Sequence, residues 1–203
     1  MKSQFWPVTL RQATPFGLIR LRPLQMKDEG AWQRLRSANI SWLQPWEATS
    51  PLPPKKRKLS YRQFVLNNNK SAKEGVVLPW VIEFDGQIVG QVTVAAIAYG
   101  SLHSASIGYF ISKHVAGKGI VPIAVAMAVD YLFAYRSIHR IEINIRPENA
   151  ASLRVVEKLG FREEGLRTGF LHIAGKWADH RCFALTQEEV PGGLLPRVKA
   201  AWA

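Results

Sequence analysis

Residues 140–165, RIEINIRPENAASLRVVEKLGFREEG, carry the strongest indication of how this chain folds. Isoleucines at every second position alternate with Glu142 and Asn144, which is typical of a strand with one buried face. Asn149 follows and can cap a helix, because its side-chain oxygen can accept from the backbone N–H of Ser152. The stretch therefore predicts a strand, a short turn and a helix.

The helix predicted over 149–159 has an apolar face and a defined end. Leu153, Val156 and Leu159 recur at helical spacing, which indicates that they face a core. Gly160 follows and can adopt the left-handed conformation that ends many helices. The asparagine at the start of the helix is more often a cap than a ligand in such a position, and both interpretations stay open at this point.

A second informative stretch is HVAGKGIVPIA, at 114–124. Pro122 fits the first turn of a helix, where its missing N–H would have no partner anyway. Gly117 and Gly119 allow a tight turn, and the positive end of the helix, with Lys118 beside it, suits phosphate or pyrophosphate. The alternative is a plain strand-to-helix turn. The stretch matches neither the Walker pattern GxxxxGK[ST] nor the dinucleotide pattern GxGxxG.

The remaining patterns predict a mixed α/β sheet with helices on its faces. Asp85-Gly86 between two β-branched runs indicates a hairpin. Apolar residues on nearly every side of the helix after Gly119 indicate that it is buried. The predicted strands are 17–24, 80–84, 88–98, 104–111, 140–145, 161–173 and 177–185. The predicted helices are 26–38, 58–73, 120–135 and 149–159, with a loop at 51–58 and a loose tail at 190–203.

Composition and charge limit the class of protein. The chain has 203 residues, of which 47% are hydrophobic and 21% charged, which fits one globular domain and argues against disorder. The formal charge of +12 favours polyanionic partners such as nucleic acid, a ribosome surface or a phosphate-rich cofactor. The densest basic run is KKRK at 55–58, for which a solvated loop is the alternative interpretation.

Cys182 is the single cysteine of the sequence, which excludes an internal disulfide and a cysteine-based metal cluster. The opening MKSQFWPVTLRQ lacks the apolar core of a signal peptide. The longest apolar run, at 119–129, is too short to span a bilayer. We therefore expect a cytoplasmic protein without a metal site or membrane contact, and we make no prediction of its oligomeric state.

AGKGIVP at 116–122, followed by PENAAS at 147–152 and VEKLGF at 156–161, resembles the GCN5-related N-acetyltransferases (GNAT). More narrowly, the chain is similar to the RimJ/RimL-type members, which acetylate protein N-termini, including those of ribosomal proteins. GLIRLRPL, SWLQPWE and IGYFI extend the resemblance over most of the chain.

The resemblance implies an α/β fold with a single mixed, mostly antiparallel sheet, a splayed central strand pair and helices on both faces. It implies an acetyltransferase domain at 17–189, between an N-terminal extension (1–16) and a C-terminal tail (190–203).

The resemblance also implies a binding site for acetyl-CoA. The glycine-rich loop would hold the pyrophosphate on the backbone N–H groups of Gly117, Lys118, Gly119, Ile120 and Val121. The pantetheine arm would lie in the gap beside the splayed strand and contact Ile107, Gly108 and Tyr109. Asn149 matches the asparagine that contacts pantetheine, and Ser152 matches the serine that protonates the departing thiolate.

The chemistry implied is direct attack of a neutral amine on the thioester. An α-amino group has a pKa of about 8, so that only mild help from a base is needed, whereas a lysine amine has a pKa of about 10.4. A backbone donor near Ile107 or Gly108 would stabilise the developing oxyanion.

The chain departs from the family pattern at several positions. Ala116 stands where relatives often have Arg or Gln, and Val121 stands where they have Gly or Ala. Ser106 and Leu171 stand where relatives carry carboxylates that act as the general base. The remaining candidates for the base are Glu142, His172 and His180, and an ion-paired strand residue is the alternative interpretation of Glu142.

SWLQPWE, at 41–47, is a candidate wall for the acceptor. The aromatic faces of Trp42 and Trp46 would hold a peptide, and Glu47 would meet its ammonium group. The alternative is a hydrophobic plug between the first two helices.

Three functions remain open on the sequence alone. The first is acetylation of a protein N-terminus, with ribosomal proteins among the candidates, and the second is acetylation of a small amine. The third is a catalytically weak module that binds RNA or the ribosome through its basic surface. Salt-sensitive RNA binding without acetyl transfer would favour the third.

Overall fold

The computed structural model describes residues 5–52 and 59–200. Within these ranges the strands are β1 (Leu10–Thr14), β2 (Gly17–Pro23), β3 (Leu78–Phe84), β4 (Gln87–Ala98), β5 (Ser104–Ile111), β6 (Arg140–Ile145), β7 (Arg162–Ile173) and β8 (Lys176–Thr186). They form one sheet in the order β1-β2-β3-β4-β5-β6-β8-β7. Neighbouring strands are antiparallel except β5 and β6, which are parallel.

Helices cover both faces of the sheet. They are α1 (Glu29–Ala38), α2 (Ile40–Leu43), α3 (Tyr61–Lys73), α4 (Ile120–Tyr135), α5 (Ala150–Leu159) and α6 (Leu194–Ala200). Helices α1 and α3 pack on β4 and β3 at one face. Helix α4 packs on the other face, with α5 and α6 against it. The predicted mixed α/β sheet with helices on both faces is therefore confirmed.

Most predicted elements form close to their expected bounds. Asp85 and Gly86 both have positive φ, of 46° and 83°, as the tight turn of a hairpin requires. Strand β1 and the short helices α2 and α6 were not predicted. Part of the predicted N-terminal extension (1–16) belongs to the sheet, because β1 pairs with β2 and Trp6 and Val8 lie in the core.

The predicted loose tail (190–203) contains the packed helix α6. Leu194 at its start is fully buried, and the backbone N–H groups of Leu194 and Leu195 donate to the Asp130 carboxylate at 2.5 and 3.0 Å. The tail is therefore attached to α4 rather than loose, at least as far as residue 200. This packing favours domain limits wider than the predicted 17–189.

The central strands β5 and β6 part after three paired residues. Ser104, Ala105 and Ser106 pair with β6, whereas the rest of β5 pairs only with β4 on its other side. Strand β4 carries a bulge between Ala95 and Ala98 at this level, and bulges bend the strand that contains them. The backbone groups of β5 beyond Ser106 therefore face an open gap on their β6 side.

Helix α4 is buried almost all round, as its sequence predicts, because it lies between the sheet and helices α5 and α6. Among the helices in 5–52 and 59–200, none has the length and apolar character that a membrane span needs. The same ranges contain no cluster of three or more His, Cys, Asp or Glu side chains able to hold a metal ion. The KKRK run at 55–58 lies outside the described residues.

Candidate active site

The glycine-rich loop leads directly into α4. Gly119 is the N-cap and has a left-handed backbone with φ of 76°, and Gly117 has φ of 82°. The helix begins at Ile120, as predicted, so that Pro122 lies inside the first turn. The N–H groups of this turn have no carbonyl partner within the helix, and they point towards the loop side.

A cavity of about 460 Å³ opens between this loop, β5 and α5. It brings together most residues predicted to bind the cofactor, although they lie far apart in the sequence. Those that line it are Tyr109, Gly117, Gly119, Ile120, Val121, Asn149 and Ser152. We call this space the large cavity.

The N-terminus of α5 forms one wall of the large cavity. The side-chain oxygen of Asn149 accepts from the backbone N–H of Ser152 at 3.1 Å, which confirms the predicted cap. Within the described residues, neither the Asn149 amide nitrogen nor the Ser152 hydroxyl has a hydrogen-bond partner. Both groups therefore remain available for a ligand.

Tyr109 links the splayed strand to α5. Its hydroxyl donates to the backbone oxygen of Ser152 at 3.3 Å. Burial raises the pKa of Tyr109 above its usual value, so that the phenol stays neutral near neutral pH.

A smaller cavity of about 230 Å³ lies on the side of β5 that faces α2. Its lining includes Glu47, Gln91, Thr93 and Gly108. Four residues line both cavities, namely Leu43, Trp46, Tyr109 and Phe110. The two cavities therefore meet at the splayed part of β5.

Residues 42–49, which we call the crossing segment, run from the end of β5 past the end of β6 to β7. Trp42 donates from its indole nitrogen to the Ile111 carbonyl at 3.0 Å. The Pro45 carbonyl accepts from Arg146, beyond β6, at 3.0 Å. The Thr49 N–H donates to the His172 carbonyl of β7 at 2.8 Å. The segment thus ties three strand ends together across the open side of the sheet.

The predicted acceptor residues divide between the two cavities. Trp42 lines only the large cavity, where its indole is bonded to β5. Trp46 lines both cavities, with the Arg146 guanidinium 5.6 Å from its ring centre. Glu47 lines the small cavity and is ion-paired with Arg36. The sequence motif therefore supplies a wall to each cavity rather than a single acceptor surface.

Glu142, predicted as a catalytic residue, lies in an ion-paired network. One carboxylate oxygen accepts from Arg140 at 2.9 and 3.0 Å, and the other accepts from Arg167 at 3.1 Å. Glu142 is not among the residues that line either cavity. This arrangement favours the ion-paired interpretation, and a catalytic role for Glu142 stays a prediction.

The two histidines considered as bases are also engaged. His172 contacts the Thr49 hydroxyl through Nδ1 at 2.7 Å. His180 is buried against Phe170, with Nδ1 3.0 Å from the Ala178 carbonyl, and burial lowers its pKa. Neither side chain is among the residues that line the cavities.

The two positions that lack the carboxylates of relatives also have defined surroundings. The Ser106 hydroxyl bonds to the Glu142 carbonyl at 3.4 Å and accepts from Asn144 at 3.3 Å. The Leu171 side chain lies on β7 and is 37% exposed. Glu47 is therefore the carboxylate that lines the small cavity in the described part of the chain.

Three predicted cofactor residues lie outside the large cavity. Ile107 is buried in the core on the α4 face, and Gly108 lines the small cavity instead. Lys118 is exposed in the loop and is not among the lining residues. Conversely, Arg154 and Lys158 line the large cavity and were not predicted. A signal in the sequence could have identified them. Arg154 and Lys158 are four residues apart and therefore lie on the same face of the helix whose start was predicted to bind the cofactor.

The acetyltransferase (GNAT) domain family matches residues 19–162, which is the larger part of the chain. The chain belongs to this family. Among curated relatives, this GNAT chain is 43% identical over 101 residues to the "Probable N-acetyltransferase YjcK" of Bacillus subtilis, over 50% of the chain and 56% of that protein. It is 36% identical over 107 residues to the "[Ribosomal protein uS5]-alanine N-acetyltransferase" of Escherichia coli, over 52% of the chain and 55% of that protein. The chain thus spans about half the length of these curated relatives.

The structure is similar to that of Mycobacterium smegmatis RimJ in complex with CoA-disulfide. The TM-score is 0.89 at 40% identity, and the match covers 97% of this GNAT chain and 96% of that one. The splayed sheet predicted from the family resemblance is present in this chain, where β5 and β6 pair over three residues.

Proposed function

We propose that this chain transfers the acetyl group of acetyl-CoA to an amine, and that the amine is the α-amino group of a protein N-terminus. The observation that carries the proposal is the meeting of the two cavities at the splayed part of β5. One cavity would take acetyl-CoA and the other the amine, so that the two reactants approach each other from opposite sides of one strand.

The residues of the large cavity fit acetyl-CoA. An added Cβ at Gly117 would meet nothing within 4 Å, so the loop leaves room for a phosphate beside its backbone. The N–H groups of Gly119, Ile120 and Val121 would hold the pyrophosphate at the positive end of α4. The Asn149 amide and the open side of β5 would hold the pantetheine arm. Acetyl-CoA, when bound, supplies the activated acetyl group.

The chain's own residues would then orient the amine and move the protons. Glu47 would attract the ammonium group into the small cavity and accept a proton, directly or through water, with Arg36 fixing its position. The open backbone of β5 would donate to the negative charge that develops on the acyl oxygen. As the bond between the acyl carbon and the sulfur breaks, the Ser152 hydroxyl would deliver a proton to the departing sulfur and regain one from solvent, at a helix N-terminus that itself favours negative charge.

Two features support a protein N-terminus as the acceptor. The crossing segment closes over the gap, which suits a narrow chain end better than a side chain on a folded surface. An α-amino group, with a pKa of about 8, is partly neutral near pH 7 and fits a site with one ion-paired carboxylate. A ribosomal protein is the first candidate, because one relative is named for the alanine terminus of uS5.

Binding is tested first by calorimetric titration with acetyl-CoA, with ATP as the control polyanion. We expect micromolar binding of acetyl-CoA and much weaker binding of ATP. Equal weak binding of both, lost on addition of salt, would contradict the proposal and indicate general affinity for polyanions on a chain of charge +12. RNA would then be the ligand to test.

The acceptor is tested with a set of matched amines. We would compare a peptide with a free N-terminal alanine, the same peptide with its N-terminus blocked and one lysine left free, and spermidine. Acetylation of the first peptide alone supports the N-terminal assignment. Faster acetylation of spermidine would indicate that the chain is an acetyltransferase of small amines. Modification of the blocked peptide would indicate a lysine acetyltransferase.

A further inference from the structure

Helix α5 carries two cations into the large cavity beyond the residues that the proposed mechanism uses. Arg154 and Lys158 both line this cavity and are both exposed. Neither forms an ion pair with a carboxylate within residues 5–52 and 59–200. Glu148, which also lines the cavity, is instead ion-paired with Arg146 at 3.2 Å. The two cations therefore present uncompensated positive charge to whatever occupies this end of the cavity.

Their position on the helix is fixed by packing. Residues four apart on a helix lie on the same face, separated by about 6 Å along the axis. Val156 and Leu159 are buried in the core, which holds the opposite side of α5 against the sheet and α4. Arg154 and Lys158 thus stand along one wall, two and six residues past Ser152, with the glycine-rich loop as the other wall.

We propose that Arg154 and Lys158 bind the 3′-phosphate on the ribose of acetyl-CoA, so that this chain distinguishes CoA from dephospho-CoA. The inference rests on the proposed function. Acetyl-CoA carries two separate anionic groups, and the loop offers its pyrophosphate backbone N–H groups at a helix end. The other group is a phosphate monoester, which by analogy with phosphoserine carries a charge of about −1.5 to −2 near neutral pH and therefore attracts cations. An arginine fork and a lysine ammonium supply them.

The proposal makes a prediction that differs from that of a non-specific effect of positive charge. If the two cations merely add to the charge of +12, they strengthen binding of every polyanion and do not separate ligands that share the same pyrophosphate and pantetheine. Dephospho-CoA differs from CoA by the 3′-phosphate alone, which makes it the matched ligand for the test.

The experiment measures the dissociation constants of CoA and dephospho-CoA for the wild-type chain, Arg154→Ala, Lys158→Ala and the double variant. We expect the wild type to bind CoA about tenfold more tightly than dephospho-CoA. The double variant should bind the two ligands within about twofold of each other, while its affinity for dephospho-CoA stays at the wild-type value. If the double variant lost the same factor of affinity for CoA and for dephospho-CoA, the assignment would be overturned.

The matched control is Lys70→Ala with Lys73→Ala on α3. This pair removes the same two charges from an exposed helix that does not line the cavity. It should leave the preference for CoA unchanged. A similar loss of preference in the control would indicate a net-charge effect and would contradict the inference.

The outcomes separate the two proposals. Equal, tight binding of CoA and dephospho-CoA by the wild type would overturn the 3′-phosphate assignment and leave the proposed function intact. Absence of binding for both ligands would overturn the proposed function itself. Because the wild type alone decides between these outcomes, a folding defect in a variant would not obscure which of the two proposals fails.

Discussion

At the start of α5, the same two residues support the helix and face the large cavity. The Asn149 oxygen caps the helix through the backbone N–H of Ser152, whereas the amide nitrogen of Asn149 and the hydroxyl of Ser152 take no part in the cap. The structural and the proposed chemical roles therefore reside on different atoms, and substitutions can separate them.

Replacement of Ser152 by alanine should affect turnover and little else. The backbone N–H that the cap needs is retained, so the helix should be as stable as before. We expect kcat to fall about a hundredfold, the lower end of the range for loss of a positioned acid, with the Kd for acetyl-CoA unchanged. Stopped assays of peptide acetylation and calorimetry measure the two quantities, and an unchanged kcat would remove Ser152 from the mechanism.

Asn149→Ala provides the contrasting variant. It removes the cap as well as the proposed pantetheine contact, so we expect about 1 kcal/mol of lost stability together with weaker acetyl-CoA binding. A variant that loses stability but binds acetyl-CoA normally would show that Asn149 is only a cap.

At the scale of elements, the crossing segment and α6 are short pieces of chain held by specific bonds rather than by large packed faces. The crossing segment forms an isolated bridge between Ala48 and Ile173, flanked by bonds from the Thr49 N–H and to the Glu47 carbonyl. Its position decides how wide the small cavity can open, because Trp46 and Glu47 lie on it.

Thr49→Pro should loosen the crossing segment, because proline lacks the N–H that donates to His172. We expect the KM for the peptide acceptor to rise about fivefold more than in Thr49→Val, because both variants lose the hydroxyl and proline also loses one backbone hydrogen bond of about 1 kcal/mol. The Kd for acetyl-CoA should be unchanged. Thr49→Val keeps the N–H and removes the hydroxyl, which contacts His172 and accepts from the Gly175 N–H, so it should have the smaller effect. Equal effects of the two variants on KM would argue against a role for the backbone bond.

Asp130 holds α6 to the domain through two backbone N–H groups. Burial raises the pKa of this carboxyl, because removal from water disfavours its charged form. The two backbone N–H donors partly offset this desolvation. We expect Asp130→Ala to lower the free energy of unfolding by about 2 kcal/mol. Urea unfolding measures this change. Limited proteolysis after residue 190 should also be faster in Asp130→Ala than in the wild type. Asp130→Asn keeps one acceptor oxygen, so its stability and its rate of proteolysis should lie between those of the wild type and Asp130→Ala.

At the scale of the whole molecule, stability should depend on pH through His180. Burial lowers the pKa of His180 in the folded chain below its unfolded value of about 6.5, so the unfolded chain takes up a proton first as the pH falls. The contribution of neutral His180 to the free energy of unfolding is fully present above about pH 6.5. It is lost as the pH falls through the lowered pKa of the folded state.

Urea unfolding at pH 7.5 and 5.5 tests this dependence. The wild type should be less stable at pH 5.5, and His180→Gln should lose less stability between the two values. Glu164 does not interfere, because its unfolded pKa of about 4.3 and its folded pKa, which Arg140 and Arg162 lower to about 2, both lie below this range. An identical loss in the variant would assign the acid sensitivity to other groups.

The whole sheet also explains why the two reactants can meet. Strands β5 and β6 pair only over Ser104–Ser106, and the gap beyond them connects a cavity beside α4 and α5 with one beside α2. Because β5 keeps its pairing with β4, it can lose its β6 partner without leaving the sheet. The open side of one paired strand is therefore where the proposed chemistry would occur.

The local features of this molecule were predictable from the sequence. The cap at Asn149, the hairpin at Asp85-Gly86, the buried helix α4 and the glycine-rich loop each depend on residues a few positions apart, so the alternation and spacing of side chains determine them. The order of loop, PENAAS and VEKLGF likewise indicated the family that the comparisons confirm.

Tertiary structure alone decided what each candidate side chain contacts. The sequence places Glu142 on the polar face of β6, but its partner Arg167 comes from a strand 25 residues away. The sequence did not reveal that Trp46 lines both cavities whereas Trp42 lines only the large one. It also did not reveal that β1 and α6 pack onto the domain. Periodicity determines which face of an element is apolar, because that depends on neighbours in the chain. The partner of a polar side chain depends on contacts between distant segments, which form only when the sheet and its helices are assembled.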